Sequence, residues 1–260
     1  MQSDLKDDPK KFWSFYGAKT KSARIPYKVC CGNQKASTPV ANANLFNRFF
    51  FLVFQKPNLH TTTSTHTATD NELHLIQTSI EEMTKALKAI NPWKAHGPDQ
   101  IPGRLLKEFT SEIAPSLTRL INLSLRIGRV PEDWKRTKIV PVFKKGNKEG
   151  VINCRPISLL SLVSKIAERC VFDHFCSFIA GNIYPLQHGF VKGYLTITQL
   201  LDTVHRITRA NDPGVQTDVT FLDFSKAFDS VSHPRLISQL DQIGIKGPIL
   251  QWFTSHLDNR

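Results

Sequence analysis

Two short stretches of this 260-residue sequence hold side chains arranged for chemistry. In Val219-Thr220-Phe221-Leu222-Asp223, a period of two puts Val219, Phe221 and Asp223 on one face of a strand expected over 216–223. An apolar strand would then deliver a carboxylate at its C-terminal end, where a turn begins. A carboxylate fixed on a rigid sheet edge suits divalent-metal phosphoryl chemistry, because Mg²⁺ takes hard oxygen ligands and bridges to phosphates. An Asp in this place also caps turns, and the residue alone does not separate the two roles. The second stretch is cationic: residues 126–155 hold nine of the 34 Lys+Arg. A hairpin with Lys144 ending one strand and Arg155 starting the other can fold its cations over a triphosphate, Lys as a point charge and Arg as a fork. Lys144 is the candidate rather than Lys145 because it directly ends the strand; a turn lysine can also be merely solvated.

Several elements must hold these groups in place. The hairpin needs a strand over 137–143 and a partner over 155–160, joined by the polar turn Gly146-Asn147-Lys148-Glu149-Gly150. Ahead of it, Thr78 with Glu81 reads as a capping box for a helix running through Met83 and Leu87 to Ile90, and Pro92 follows. A loop separates it from a helix over 111–127, with Gly128 at its C-terminal turn and Pro131 as a stop. A long helix over 161–180 carries Ile166, Cys170, His174 and Phe178 on its buried stripe. His174 there reads as a core or edge residue, since no second metal-type residue lies at ligand spacing on that face. Further helices are expected over 195–210, 233–243 and 247–258. Near the start, 7–20 and 38–56 read as helices, and the Thr-rich run from 57 to 71 as a linker, with a domain boundary near 70.

The bulk numbers fit a folded domain with a polyanionic partner. Hydrophobic residues make up 40% and charged residues 22%, which is ordinary globular usage. The net charge is +12, favouring nucleic acid or an acidic surface. The excess is uneven: residues 91–210 carry 18 basic and 9 acidic side chains, whereas 211–260 are net acidic. The longest apolar cluster, Phe49 to Phe54, is far short of a membrane span. The N-terminus has no signal-peptide pattern, so an intracellular site, nucleus or cytoplasm, is expected, with no membrane partner. Five cysteines without CxxC spacing predict free thiols.

The stretch Phe221-Leu222-Asp223-Phe224-Ser225-Lys226-Ala227-Phe228-Asp229 resembles motif A of reverse transcriptases in the form found in non-LTR (LINE-type) retrotransposons. Ile139 to Gly146 and Asn153-Cys154-Arg155-Pro156-Ile157-Ser158 look like the two fingers motifs of the same family. Gly97-Pro98-Asp99-Gln100-Ile101-Pro102 is similar to its "GPDGIP" loop and Gln187-His188-Gly189-Phe190 to its "QHGF" segment. Together these cover residues 91–260 in family order. The resemblance implies that Asp223 is the first catalytic, metal-binding aspartate, helped by the backbone carbonyl of Phe224. It also implies that Lys144 and Arg155 bind the nucleotide phosphates. Phe228 would lie under the incoming sugar and exclude a 2′-hydroxyl, arguing for DNA synthesis, although a phenylalanine there can also be plain core. Asp229 reads as a turn or helix-start residue.

The implied fold class is α+β: a right-hand polymerase fold, fingers plus partial palm, with an α-helical N-terminal extension. Residues 1–70 would be the extension and linker, and 71–260 the fingers and partial palm. The implied activity is RNA-directed DNA polymerase, with Mg²⁺ as cofactor and an RNA template, a DNA primer and dNTP as partners. In-line attack on the α-phosphate would need further metal ligands. The family's aromatic-x-Asp-Asp hairpin is not in the 260 residues, so a C-terminal palm and thumb segment is expected to be missing and this chain alone inactive. The alternative is a non-catalytic RNA-binding remnant. Departures from the resemblance are Cys154 for an aromatic, Gln100 for Gly, and Val191, Tyr194 and Leu195 in a stretch that normally reads "FRKGRST". The lost arginines put template contacts there in question.

Overall fold

The computed structural model describes residues 26–52, 71–214, 216–224, 227–228 and 230–258. The expected helix over 7–20 and the Thr-rich linker from 57 to 70 lie outside these residues, as do Asp229 and the end of the expected helix over 38–56. Secondary structure is mixed. A small hairpin, β1 (Val29–Cys31) and β2 (Gln34–Ala36), turns at Gly32, and α1 (Pro39–Phe51) follows. The helix starts where Thr38 accepts a hydrogen bond from Ala41 N at 3.2 Å with Pro39 in the first turn. Then come α2 (Ile80–Lys88), α3 (Gly103–Glu108), α4 (Thr110–Ile127) and the short α5 (Glu132–Lys135). The second hairpin is β3 (Thr137–Phe143) and β4 (Cys154–Leu160), followed by α6 (Leu162–Ile179), α7 (Thr196–Asn211), α8 (His233–Gln242) and α9 (Gly247–Leu257).

The main core is helical. Met83 and Leu87 on α2 have no exposed surface, and they pack between α4 and α6. Ala114, Leu117, Ile121 and Leu125 form the buried stripe of α4 at the spacing the sequence predicts. Gly128 ends that helix at φ +67, with Arg129 N donating to Ser124 O at 3.1 Å, so the left-handed turn closes the last carbonyls. On the far side of α4, Trp252 of α9 donates its indole N–H to Ser124 Oγ at 3.0 Å, and Val130 N donates to Ser255 Oγ at 3.1 Å. The α8–α9 junction is tied to the segment before α2 by Leu73 N to Gly244 O (2.8 Å) and Lys246 N to Leu73 O (2.9 Å). No helix among the described residues is long and apolar enough to cross a membrane.

Three features differ from the sequence reading. The capping box is formed one residue later: Ser79 Oγ accepts from Glu82 N at 3.1 Å and Glu82 Oε2 accepts from Ser79 N at 2.8 Å. A capping hydroxyl must sit directly before the first helical residue. Thr78 is instead buried, its backbone bracketed by the Asn122 amide at 2.9 and 2.8 Å. The β1–β2 hairpin and α3 were not expected; Gly32 at φ +57 was the available turn signal for the first. The strand expected over 216–223 is not formed: residues 216–224 have no ladder partner among the described residues. A strand needs both a hydrogen-bonded neighbour and a surface for its apolar face, and Phe221 here is 89% exposed.

Candidate nucleic-acid and nucleotide site

The β3–β4 hairpin forms with its expected strands, β4 starting one residue early at Cys154. Its root is fixed to the helical body at both ends. Trp134 of α5 is buried just before β3, and β4 runs into α6 through a single residue, Ser161, whose hydroxyl accepts from Val163 N and Ser164 N at 3.1 and 3.4 Å. The loop holding Gly97 closes on this junction: a Cβ at 97 would lie 2.4 Å from Ser161 N, so only glycine fits.

Register sorts the side chains by face. Val142 pairs with Arg155, Val140 with Ile157 and Lys138 with Leu159, so these six share one side of the hairpin. Lys144 N donates to Asn153 O at 2.8 Å, which extends the ladder past the strand end and puts Lys144 on the same side as Val142. Lys138, Lys144 and Arg155 are all exposed, and none makes an ion pair or a side-chain hydrogen bond among the described residues. Three positive charges therefore stand on one ribbon face, spaced by Val140, Val142 and Ile157, with no ion-pair partner among the described residues. Lys138 was missed in the sequence reading, although counting back by twos from Lys144 reaches it.

The opposite face is apolar and turned toward the N-terminal unit. Thr137, Ile139 and Pro141 line an open cleft of about 680 Å³ with Tyr27, Asn42 and Phe46. Phe143 pairs with Cys154 on this side, and Cys154 packs against a second small core. Burial pushes the Cys154 thiol up from its ordinary pKa. All five cysteines are free thiols.

Asp223 and Phe224 lie in the exposed stretch 216–224, and no hydrogen bond or ion pair among the described residues joins them to Lys144 or Arg155. The hairpin places Lys144 and Arg155 on one face. No group of three His, Cys, Asp or Glu among the described residues is placed to hold a metal ion. A single carboxylate with one neighbouring carbonyl falls short of the oxygen set that Mg²⁺ requires, so the described residues do not complete a metal centre.

Phe228 is 78% exposed and meets Phe190 edge-on, ring centroids 5.9 Å apart at 89°. Phe190 sits at φ +62, a left-handed conformation that costs a non-glycine residue about 1–2 kcal/mol. The loop carrying it is tied to α7: His188 Nδ1 lies 3.1 Å from Thr198 Oγ1, and the His188 ring is edge-on to Tyr194 at 4.8 Å. Thr198 Oγ1 accepts from Leu195 N at 3.0 Å, in a turn where Leu195 itself has no capping atom. His174 behaves as an edge residue, its Nε2 3.2 Å from Glu82 Oε1.

Comparison with known proteins points to one family. Residues 143–260 match the family described as reverse transcriptase (RNA-dependent DNA polymerase). The chain is 29% identical over 247 residues to the Drosophila melanogaster protein named "Probable RNA-directed DNA polymerase from transposon BS", an alignment covering 91% of this chain and 27% of that protein. It is 27% identical over 219 residues to the RNA-directed DNA polymerase from mobile element jockey of Drosophila funebris, covering 82% of this chain and 24% of the relative. It is also 29% identical over 173 residues to the retrovirus-related Pol polyprotein from type-1 retrotransposable element R2 of Popillia japonica, covering 66% and 23%. The chain thus spans about a quarter of the length of these relatives.

Proposed function

Residues 143–260 match the reverse transcriptase family, and from that match we propose that the chain is the fingers and partial palm of an RNA-directed DNA polymerase of a non-LTR retrotransposon. In this reading residues 1–70 are a helical extension and linker, and 71–260 belong to a right-hand polymerase. The observation that carries it is the cationic face of the β3–β4 hairpin, without an ion-pair partner among the described residues, inside a chain whose motif order resembles that of the family. Lys144 and Arg155 hold the phosphates of a dNTP, and Lys138 extends the same face along a nucleic-acid backbone. Asp223 and the Phe224 carbonyl supply oxygen ligands for a divalent ion, and further carboxylates are required before two metals can be held. Phe228 lies against the sugar. The partners are an RNA template and a DNA primer.

A second reading, RNA binding without catalysis, is favoured by one observation: no group of three His, Cys, Asp or Glu among the described residues is placed to hold a metal ion. Two measurements on purified residues 1–260 separate the readings. RNA affinity over a salt series should fall steeply, and the triple change Lys138→Ala, Lys144→Ala, Arg155→Ala should reduce the slope by about 3, one per lost phosphate contact. A flat salt response removes the cationic face from the account. Labelled dNTP added to a primed RNA template should give no incorporation with residues 1–260 alone. Incorporation that disappears in Asp223→Asn would establish catalysis in this chain and overturn the second reading.

A further inference from the structure

The tip of the cationic hairpin is held from outside the hairpin. Residues 144–153 join the two strands, ending in a 3₁₀ turn at Val151–Asn153. Within this loop, Gly150 N donates to Asn147 O at 3.1 Å, Asn153 N to Gly150 O at 3.0 Å, and Asn153 Nδ2 to Asn147 O at 2.9 Å. These bonds shape the loop without fixing it against anything else. Val151 does that: it has no exposed surface and is buried among Val29, Leu45, Phe46 and Phe50, all from β1 and α1. Beside it, Cys30 N donates to Glu149 O at 2.7 Å, and Cys30 and Gly150 form a parallel bridge. The N-terminal unit therefore grips the loop by a wedge and a backbone bond.

We propose that residues 26–52 are a brace that positions Lys144 and Arg155 for phosphate binding, with Val151 as the positioning residue. The connection is short. Val151 opens the 3₁₀ turn that ends at Asn153, Asn153 O accepts from Lys144 N, and Arg155 is two residues further along β4. An isolated two-stranded hairpin is marginally stable in water, and on the strand faces the contact with α1 is an open cleft rather than a packed seam. The tip grip is thus what limits fraying at the end where Lys144 sits. The brace works on the face opposite the cations, so it can hold them without covering them.

This inference rests on the phosphate-binding reading of Lys144 and Arg155, and the experiment keeps the two apart. In residues 1–260, hydrogen exchange is followed at the amides of 144–153 and at those of α2, α4 and α6, and tripolyphosphate affinity is measured by calorimetry. Val151→Ala should raise exchange in the loop at least tenfold, leave the three helices unchanged, and weaken tripolyphosphate binding at least threefold. Val151→Ile should keep both near the parent values. Phe46→Leu, which thins the same wedge from the α1 side, should act in the same direction and serves if Val151→Ala does not fold. Unchanged loop exchange in these variants overturns the brace. Raised exchange with unchanged tripolyphosphate affinity overturns the positioning role. If Lys144→Ala and Arg155→Ala leave tripolyphosphate binding intact, the phosphate reading fails, and the exchange data alone decide whether the N-terminal unit restrains the loop.

Discussion

The helical body and the stretch from 184 to 230 sit at opposite ends of one scale. In the body, Met83, Leu87, Ile121, Ile245 and Ile249 are fully or almost fully buried. In the other stretch, Phe190, Phe221, Phe224 and Phe228 are between 78% and 89% exposed, and α7 buries none of its residues. Apolar content is similar, so the difference lies in partners. The body's helices meet one another, whereas the motif that carries Asp223 meets no sheet among the described residues. Specificity of sequence and quality of packing are separate properties, and here the most diagnostic residues are the least packed.

The sharpest way to break this contrast is truncation on each side. Leu87→Ala should cost about 2–5 kcal/mol, because it empties a site enclosed by α2, α4 and α6. Phe221→Ala should change stability by less than about 0.5 kcal/mol, as expected for an exposed position. Denaturant unfolding of the two variants compares them directly, and a large loss at 221 would mean that the motif is packed after all.

Smaller effects sharpen the contrast at two positions where the sequence departs from the pattern it resembles. Gln100, which stands where the resemblance has glycine, adopts φ +57. Gln100→Gly should relieve that conformation and, after the entropy cost of glycine, stabilise the body by about 0.5–1 kcal/mol. Leu195 opens α7 without a capping oxygen, where the resemblance has serine. Leu195→Ser should stabilise that end by about 1 kcal/mol, read as slower exchange of the first-turn amides of α7. A neutral result at 195 would mean that the Thr198 hydroxyl already fills the cap.

A pH dependence confined to the body tests the same contrast in another way. Burial, followed by the nearby carboxylates of Glu82 and Asp173, pushes the Cys170 thiol up to about 11. The unfolded chain releases that proton near the ordinary thiol value of about 8.5. The contribution of the buried neutral thiol is therefore complete below that pH and is lost as pH climbs toward 11. Between these limits the parent should lose more stability than Cys170→Ala, and parallel unfolding midpoints from pH 8 to 11 would refute the assignment.

The same contrast explains what could be read in the sequence. Helices α2, α4, α6, α8 and α9 were legible because a 3.6-residue apolar period reports burial that the chain itself supplies. The β3–β4 hairpin was legible because β-branched alternation flanked a polar turn, and Lys144 and Arg155 followed from strand ends. Capping failed by one residue at Thr78, since Thr and Ser share the chemistry and only the helix start distinguishes them. The strand over 216–223 failed for a deeper reason: alternation states which face wants burial and is silent on whether a surface is present to receive it. Val151 was invisible too, because nothing local marks a loop valine as the wedge of another unit.

One consequence of the hairpin's alternating faces concerns how this region can change over evolutionary time. Its proposed phosphate grip depends on parity: Lys138 sits at an even-numbered position of β3, whereas odd-numbered positions meet α1. A single-codon insertion or deletion inside either strand would exchange the two sets and turn lysines toward an apolar wall. Changes of two residues, or any change absorbed within the loop that joins the strands, would preserve the pattern, so length variants in related elements should occur in even steps within the strands.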